Sequence, residues 1–169
     1  MSKYKLFTAD LKIYLRNNFF YDEYTGFLYR VHKTVKPTKI GFDNGKNYLK
    51  CNIQRKHYFV HRICWFFKYG TQPDMLDHIN GVRDDNRLCN LREATHGQNQ
   101  QNSKKCKNKR TSIYKGVYFT KESRSWRALI SSNNKRIHLG YFKNEVDAAK
   151  AYDEKAKELF GEFAKTNFH

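Results

Sequence analysis

Residues 77–102, DHINGVRDDNRLCNLREATHGQNQQN, decide how the centre of this chain folds. Met75-Leu76-Asp77-His78-Ile79 reads as a strand, and Asn80-Gly81 as the turn pair that ends it. Leu91-Arg92-Glu93-Ala94 forms a second strand. Thr95-His96-Gly97-Gln98 places threonine and glutamine at capping-box spacing, which predicts a helix containing Asn99. The segment is therefore expected to run strand, turn, strand, helix. It sets a carboxylate (Asp77) beside an imidazole (His78), an amide twelve residues after the histidine (Asn90) and another nine further on (Asn99). Cutting a phosphodiester needs a nucleophilic water, charge relief on the phosphorane-like transition state and help for the departing oxygen. A histidine can take the proton, and a divalent ion can supply the rest. Adjacent strand residues point to opposite faces. A turn or bulge at the strand end is thus expected to let Asp77 hold metal while His78 addresses water. Mg2+ takes hard oxygen donors and keeps several waters, so one carboxylate, one amide oxygen and phosphate oxygens suffice.

The rest of the chain has the charge to hold a polyanion. Its 169 residues suit one medium domain or two small ones, and 33 basic against 16 acidic side chains leave a net charge of +17. The excess is +8 over residues 1–99, +5 over residues 100–111 and +4 over residues 112–169, so both folded parts and the connector are positive. No run of eighteen apolar residues is present, and MSKYKLFTADLK has no hydrophobic signal segment, so membrane is the weaker reading and a reducing cytoplasm is expected. Cys51, Cys64, Cys89 and Cys106 form no C-x-x-C pair and no finger spacing, which argues against structural zinc; three of the four are expected to be small core residues.

Upstream, Thr8 caps a short helix through Leu11 and Leu15, and Phe19–Arg30 reads as a hairpin turning at Gly26. A second hairpin joins Asn47–Ile53 to His57–His61 near Gln54-Arg55. Between the two lies a basic loop with Lys33, Lys36, Lys39 and Lys46. VHRICWFFKYG then predicts a buried helix stopped by Gly70. His57, His61 and His96 are not counted among catalytic residues: His61 reads as packing or phosphate contact, and the helix dipole disfavours a charged imidazole at His96.

The pattern DH-(x11)-N-(x8)-N, with its flanking DNR and NLR and the upstream HRICWFFKYG, resembles the HNH nucleases, in particular phage- and intron-encoded homing endonucleases whose last histidine is an asparagine. The resemblance runs from about Phe20 to Asn102 and implies a ββα-metal fold. It implies His78 as general base, Asp77 and Asn99 as metal ligands, and Asn90 as the amide that pins the loop between the strands. Products with 5′-phosphate and 3′-hydroxyl ends follow, with one Mg2+ that Mn2+ can replace.

Beyond a basic linker at 103–111, residues 112–169 read as YKGVYF, SWRALIS and KRIHLGYF strands, then a helix capped by Asn144 and stopped by Gly161. Alternation sends Trp126, Ala128, Ile130, Ile137 and Leu139 toward the helix. It leaves Arg127, Leu129, Ser131, Arg136 and His138 on the outer face, joined by Lys115 and Tyr118. A basic three-stranded sheet can lie in the major groove. Residues 112–168 resemble the plant APETALA-two/ethylene-response-factor (ERF) DNA-binding domain: YKGVYF its YRGVR strand, SWRALI its W-x-A-x-I strand, HLGYF its WLGTF strand, and DAAKAYDEKAKELFGEFAKTNF its AA-x-AYD helix and closing NF. That resemblance implies DNA reading by Lys115, Arg127 and Arg136. Tyr118, Ser131 and His138 depart from the plant pattern, so the plant target is not implied.

The expected class is α+β: an HNH nuclease domain over residues 1–102, with its metal motif at about 75–102, and a three-stranded antiparallel sheet packed on one helix. The expected partner is double-stranded DNA, gripped also by Lys104, Lys105 and Arg110. No membrane or protein partner is implied. A monomer with a single metal site is expected to nick one strand in the cytoplasm of the host of a phage or mobile element. A non-catalytic DNA-binding transcription regulator and an RNA-processing factor stand as rivals.

Overall fold

Thr8 starts the first helix with a local device. Its side-chain oxygen accepts the Leu11 N–H, satisfying a donor at the start of helix α1 (Ala9–Asn18). The computed structural model describes residues 6–43, 45, 48–102, 111–132 and 135–168. Lys46, Asn47, Cys106, the Asn133-Asn134 turn and residues 103–110, with Lys104, Lys105 and Arg110, lie outside the described residues. Contacts divide the chain into two units, Met1–His96 and Gly97–His169. The nuclease part was expected to end at residue 102, whereas this division falls after His96.

In the first unit, β1 (Phe19–Asp22) and β2 (Phe27–Arg30) form the expected hairpin in the register Phe19↔Arg30, with Gly26 at φ 73. The basic loop does more than connect. It supplies β3 (Thr38–Ile40), paired to β2 through Leu28↔Ile40, and β4 (Phe42–Asp43), paired to β5 (Leu49–Ile53) through Phe42↔Lys50. Gln54 and Arg55, both at positive φ, turn β5 into β6 (Lys56–Phe59). That strand ends at Phe59, not His61, because helix α2 (Val60–Tyr69) has already begun; Gly70, left-handed at φ 69, stops it. Leu15, Leu28 and Ile63, all fully buried, bring α1, the first hairpin and α2 into one core. Burying such a side chain contributes about 1.5–3 kcal/mol. Cys51 and Cys64 belong to that core, but Cys89 is exposed, so the expectation of three core cysteines is corrected to two among those described.

The central segment follows as β7 (Leu76–His78), a single turn of 3₁₀ helix at Leu88–Asn90, and β8 (Leu91–Glu93). Helix α3 (His96–Gln101) comes next in the chain. The order strand, strand, helix is that read from the sequence. A second core unites Trp65 of α2 with Leu76 and Leu91 of the two strands, and so fastens the β7–β8 ladder to α2.

The second unit is a three-stranded antiparallel sheet of β9 (Val117–Thr120), β10 (Ser125–Ser132) and β11 (Lys135–Phe142), with β10 central, and helix α4 (Glu145–Phe160). Asn144 caps α4 by accepting the Asp147 N–H at 2.8 Å, and Gly161 closes it. Val117, Ala128, Ala148 and Ala149 are fully buried between sheet and helix. Strand β9 starts later than expected because Gly116 sits at φ 76. The chain is α+β throughout, and among the described residues no helix is long and apolar enough to cross a membrane.

Candidate active site

The β7–β8 ladder is antiparallel in the register Leu76↔Glu93, Asp77↔Arg92 and His78↔Leu91. Directly opposite residues share a face, and neighbours alternate. Asp77 therefore leaves the ladder with Arg92, while Leu76, His78 and Leu91 face α2. Of the turn or bulge expected at the strand end, the structure has the turn. The strand ends in a turn directly after His78, closed by the Gly81 N–H donating to the His78 carbonyl at 2.8 Å.

On one face, both Nε and Nη2 of Arg92 donate to Asp77 Oδ2, at 3.1 and 3.0 Å. The pair is nearly enclosed, with side-chain exposures of 11% and 5%. Sequence reading missed Arg92, because its partner is set by the cross-strand register rather than by spacing along the chain.

On the other face, His78 is 3% exposed. Its Nε2 lies 3.2 Å from Oδ1 of Asn86, which is itself 1% exposed. An amide oxygen only accepts, so in this contact Nε2 carries the proton. Burial pushes the His78 pKa below the usual histidine range, while the Asn86 contact and the carboxylates of Asp77 and Asp85 pull it back in part. The ring is thus a neutral proton acceptor at neutral pH. By residue type and spacing alone, Asn86 was indistinguishable from an ordinary turn residue. The signal lay in the DNR triplet beside the pattern.

Asn90, 5% exposed, works on the loop. Its amide nitrogen donates to the Asp85 carbonyl at 2.8 Å, and its Oδ1 accepts the Asn80 N–H at 2.9 Å. Its backbone carbonyl also accepts the Ile79 N–H. One side chain thereby ties the start of the loop to its middle. Asp85 pairs in turn with Arg87 and accepts from the Asn80 amide, and the Tyr21 hydroxyl donates to the Asn86 carbonyl at 3.0 Å. The loop is held at both ends and from the first hairpin.

Residues 58–101 match the HNH endonuclease family. The HNH segment, about a quarter of the chain, contains Asp77, His78, Asn90 and Asn99. No curated protein matches the chain. An HNH segment brings with it a DNA-cleaving, hydrolytic role, and HNH nucleases generally use a divalent metal ion. Among the described residues no group of three His, Cys, Asp or Glu side chains converges to hold a metal. The donors expected here are instead one carboxylate and one amide oxygen, a hard-oxygen set that suits Mg2+ when waters and phosphate complete it. The Nε and Nη2 donors of Arg92 both meet Oδ2 of Asp77. Asn99 lies in α3, half-buried and grouped with the second unit.

Of the residues expected to read DNA, the sheet gathers four. Tyr118, Arg127 and Tyr141 form one row across β9, β10 and β11, and beyond a bulge after Ala128 the register pairs Leu129 with His138 and Ser131 with Arg136. Arg136 and His138 are exposed, and Arg127 Nε has no hydrogen-bond partner among the described residues. Tyr141, 56% exposed with its ring 4.8 Å from that of His138, was not anticipated. Lys115 is elsewhere. Its backbone is clamped by Asn167, and its ammonium donates to the Gln101 carbonyl at 2.7 Å, at the C-terminal end of α3. Burial first, and then Lys165, push its pKa down to about 8. The expectation that Lys115 stands on the open face of the sheet is corrected accordingly.

Proposed function

We propose that this protein is a homing-type DNA endonuclease, a ββα-metal nuclease joined to an ERF-like sheet that selects the target, and that it nicks one strand of duplex DNA. The observation that carries this reading is the HNH match over a segment in which His78, Asn90 and Asp77 each have a defined hydrogen-bonding environment. His78, neutral and held by Asn86, takes a proton from water at Nδ1. The water oxygen bonds to phosphorus as the bond to the 3′ oxygen breaks and that oxygen takes a proton from solvent, leaving 5′-phosphate and 3′-hydroxyl ends. Asp77 and Asn99 would hold one Mg2+, whose chemistry when bound is charge relief at the phosphate and the departing oxygen. Arg127, Arg136, His138 and Tyr118 would contact DNA, with Lys104, Lys105 and Arg110 adding phosphate contacts that weaken steeply with salt.

Supercoiled plasmid carrying random inserts, incubated with Mg2+ or with chelator, tests this reading. Nicked circles only with metal, lost in His78→Ala while DNA binding is retained, are the expected result. Cleavage by His78→Ala at the parent rate would sink the base assignment. One observation favours the rival regulator: the Asp77 carboxylate is already paired with Arg92. That rival predicts tight binding with no nicks under any metal.

A further inference from the structure

Helix α2 turns two residues, one helical turn apart, toward the ladder face that carries His78. Trp65 packs on Leu76 and Leu91, and His61 meets His78 itself, ring centroids 5.1 Å apart and nearly perpendicular. Tyr48 and Phe59 close around the pair, with Tyr48 5.6 Å from His61 and 5.8 Å from His78. His61 is 6% exposed, and its Nδ1 is buried with no hydrogen-bond partner among the described residues. Asn86, which bonds His78 through Oδ1, has a buried Nδ2 in the same condition. A buried polar atom without a partner costs about 1–3 kcal/mol. Here two such atoms belong to the two residues that touch the same imidazole. Burial, with His78 and Arg62 nearby, keeps the His61 ring neutral. With no third metal-binding side chain at hand among the described residues, a structural metal does not account for it.

We infer that His61 is a positioning residue for strand cleavage: its ring braces His78, and its Nδ1 bonds a water that keeps the nucleophile in line with the base. Buried waters characteristically satisfy polar atoms left over by packing. The inference rests on the nuclease reading, and so its test contains the parent protein. Single-turnover and steady-state nicking are measured with Mg2+ for the parent, His61→Phe and His61→Asn, with melting temperature and DNA affinity alongside. Phenylalanine keeps a ring against His78 but offers no polar atom, whereas asparagine restores one near the Nδ1 position. His61→Phe is expected to lower kcat tenfold to a hundredfold, in line with the cost of misplacing reactants by about an ångström. KM, DNA affinity and melting temperature should stay at parental values, and His61→Asn should recover most of the loss. If His61→Phe does not fold, the isosteric pair His61→Asn and His61→Leu carries the comparison, and the asparagine variant should cut faster. Equal rates for the polar and apolar variants, or parental kcat in His61→Phe, overturn the inference while leaving the nuclease reading intact. A parent that makes no metal-dependent nicks overturns both.

Discussion

Replacing Asn90 with alanine removes two hydrogen bonds at once, from its amide nitrogen to the Asp85 carbonyl at 2.8 Å and from the Asn80 N–H to its Oδ1 at 2.9 Å. A typical internal hydrogen bond contributes about 0.5–1.5 kcal/mol net, which brackets the loss at about 1–3 kcal/mol. Asn80 is exposed, so water can replace its lost acceptor, whereas Asp85 is half-buried and less easily rehydrated. A cost near 2 kcal/mol follows from these two environments. Asn90→Asp sharpens the test. It keeps an acceptor for Asn80 but sets a carboxylate oxygen against the Asp85 carbonyl, so it should cost at least as much as alanine. The chain has two tryptophans, and Trp65 packs directly on Leu76 and Leu91 of the β7–β8 ladder. Urea unfolding followed by Trp65 fluorescence in a Trp126→Phe background therefore reports on this loop's own unit. Asn90→Asp as stable as the parent would show that the bond to Asp85 does not form, and the account of the pinned loop would fall with it.

Arg92→Met should cost about 3–5 kcal/mol in the same assay, because it leaves the buried Asp77 carboxylate without its cation, and Asp77→Asn combined with Arg92→Met should recover much of that loss. At Gly26, an added Cβ would lie 2.6 Å from Arg87 N and 2.9 Å from Asn86 C, at φ 73. Gly26→Ala should therefore lower stability by about 2 kcal/mol or more, and it should slow nicking, since the displaced backbone carries the side chain that holds His78. Lys115 makes stability depend on pH. Its folded pKa, about 8, lies below the ordinary lysine value of 10.5, so the unfolded chain binds the proton more tightly between these values. The cost of its buried charge is present below about pH 8 and is relieved as pH rises toward 10.5. The melting temperature of the parent should accordingly gain on that of Lys115→Met across this window, and a constant difference would refute it.

The parts of this molecule set by local chemistry were legible in the sequence. Thr8 and Asn144 cap their helices with their own side chains, Gly70 and Gly161 stop them, and the alternation of Ala128 and Ile130 with Arg127 and Ser131 requires only the period of a strand. Strands β3 and β4 were not legible, since Thr38–Ile40 and Phe42–Asp43 carry little pattern of their own and are strands because Leu28 and Lys50 pair with them. The site divides in the same way. Asp77, His78 and Asn90 stood out by type and spacing. The partners of the first two, Arg92 and Asn86, are defined only once a register and a loop closure exist. Lys115 was misplaced for a related reason: YKGVYF read as one strand and put Lys115 on the sheet, but with Gly116 at positive φ the strand starts only at Val117.

The ammonium of Lys115 on the last turn of α3 bears on where this chain can be cut and rejoined. The basic stretch between α3 and the sheet reads as a natural seam, yet a graft joined there would discard the cation that sits on the Gln101 carbonyl and leave the end of α3 uncapped. The second compact unit begins at Gly97, within the first turn of α3. A chimera that exchanges this sheet for another would then inherit Asn99 from the donor of the sheet, so recombination at that boundary also replaces a residue proposed to hold the metal.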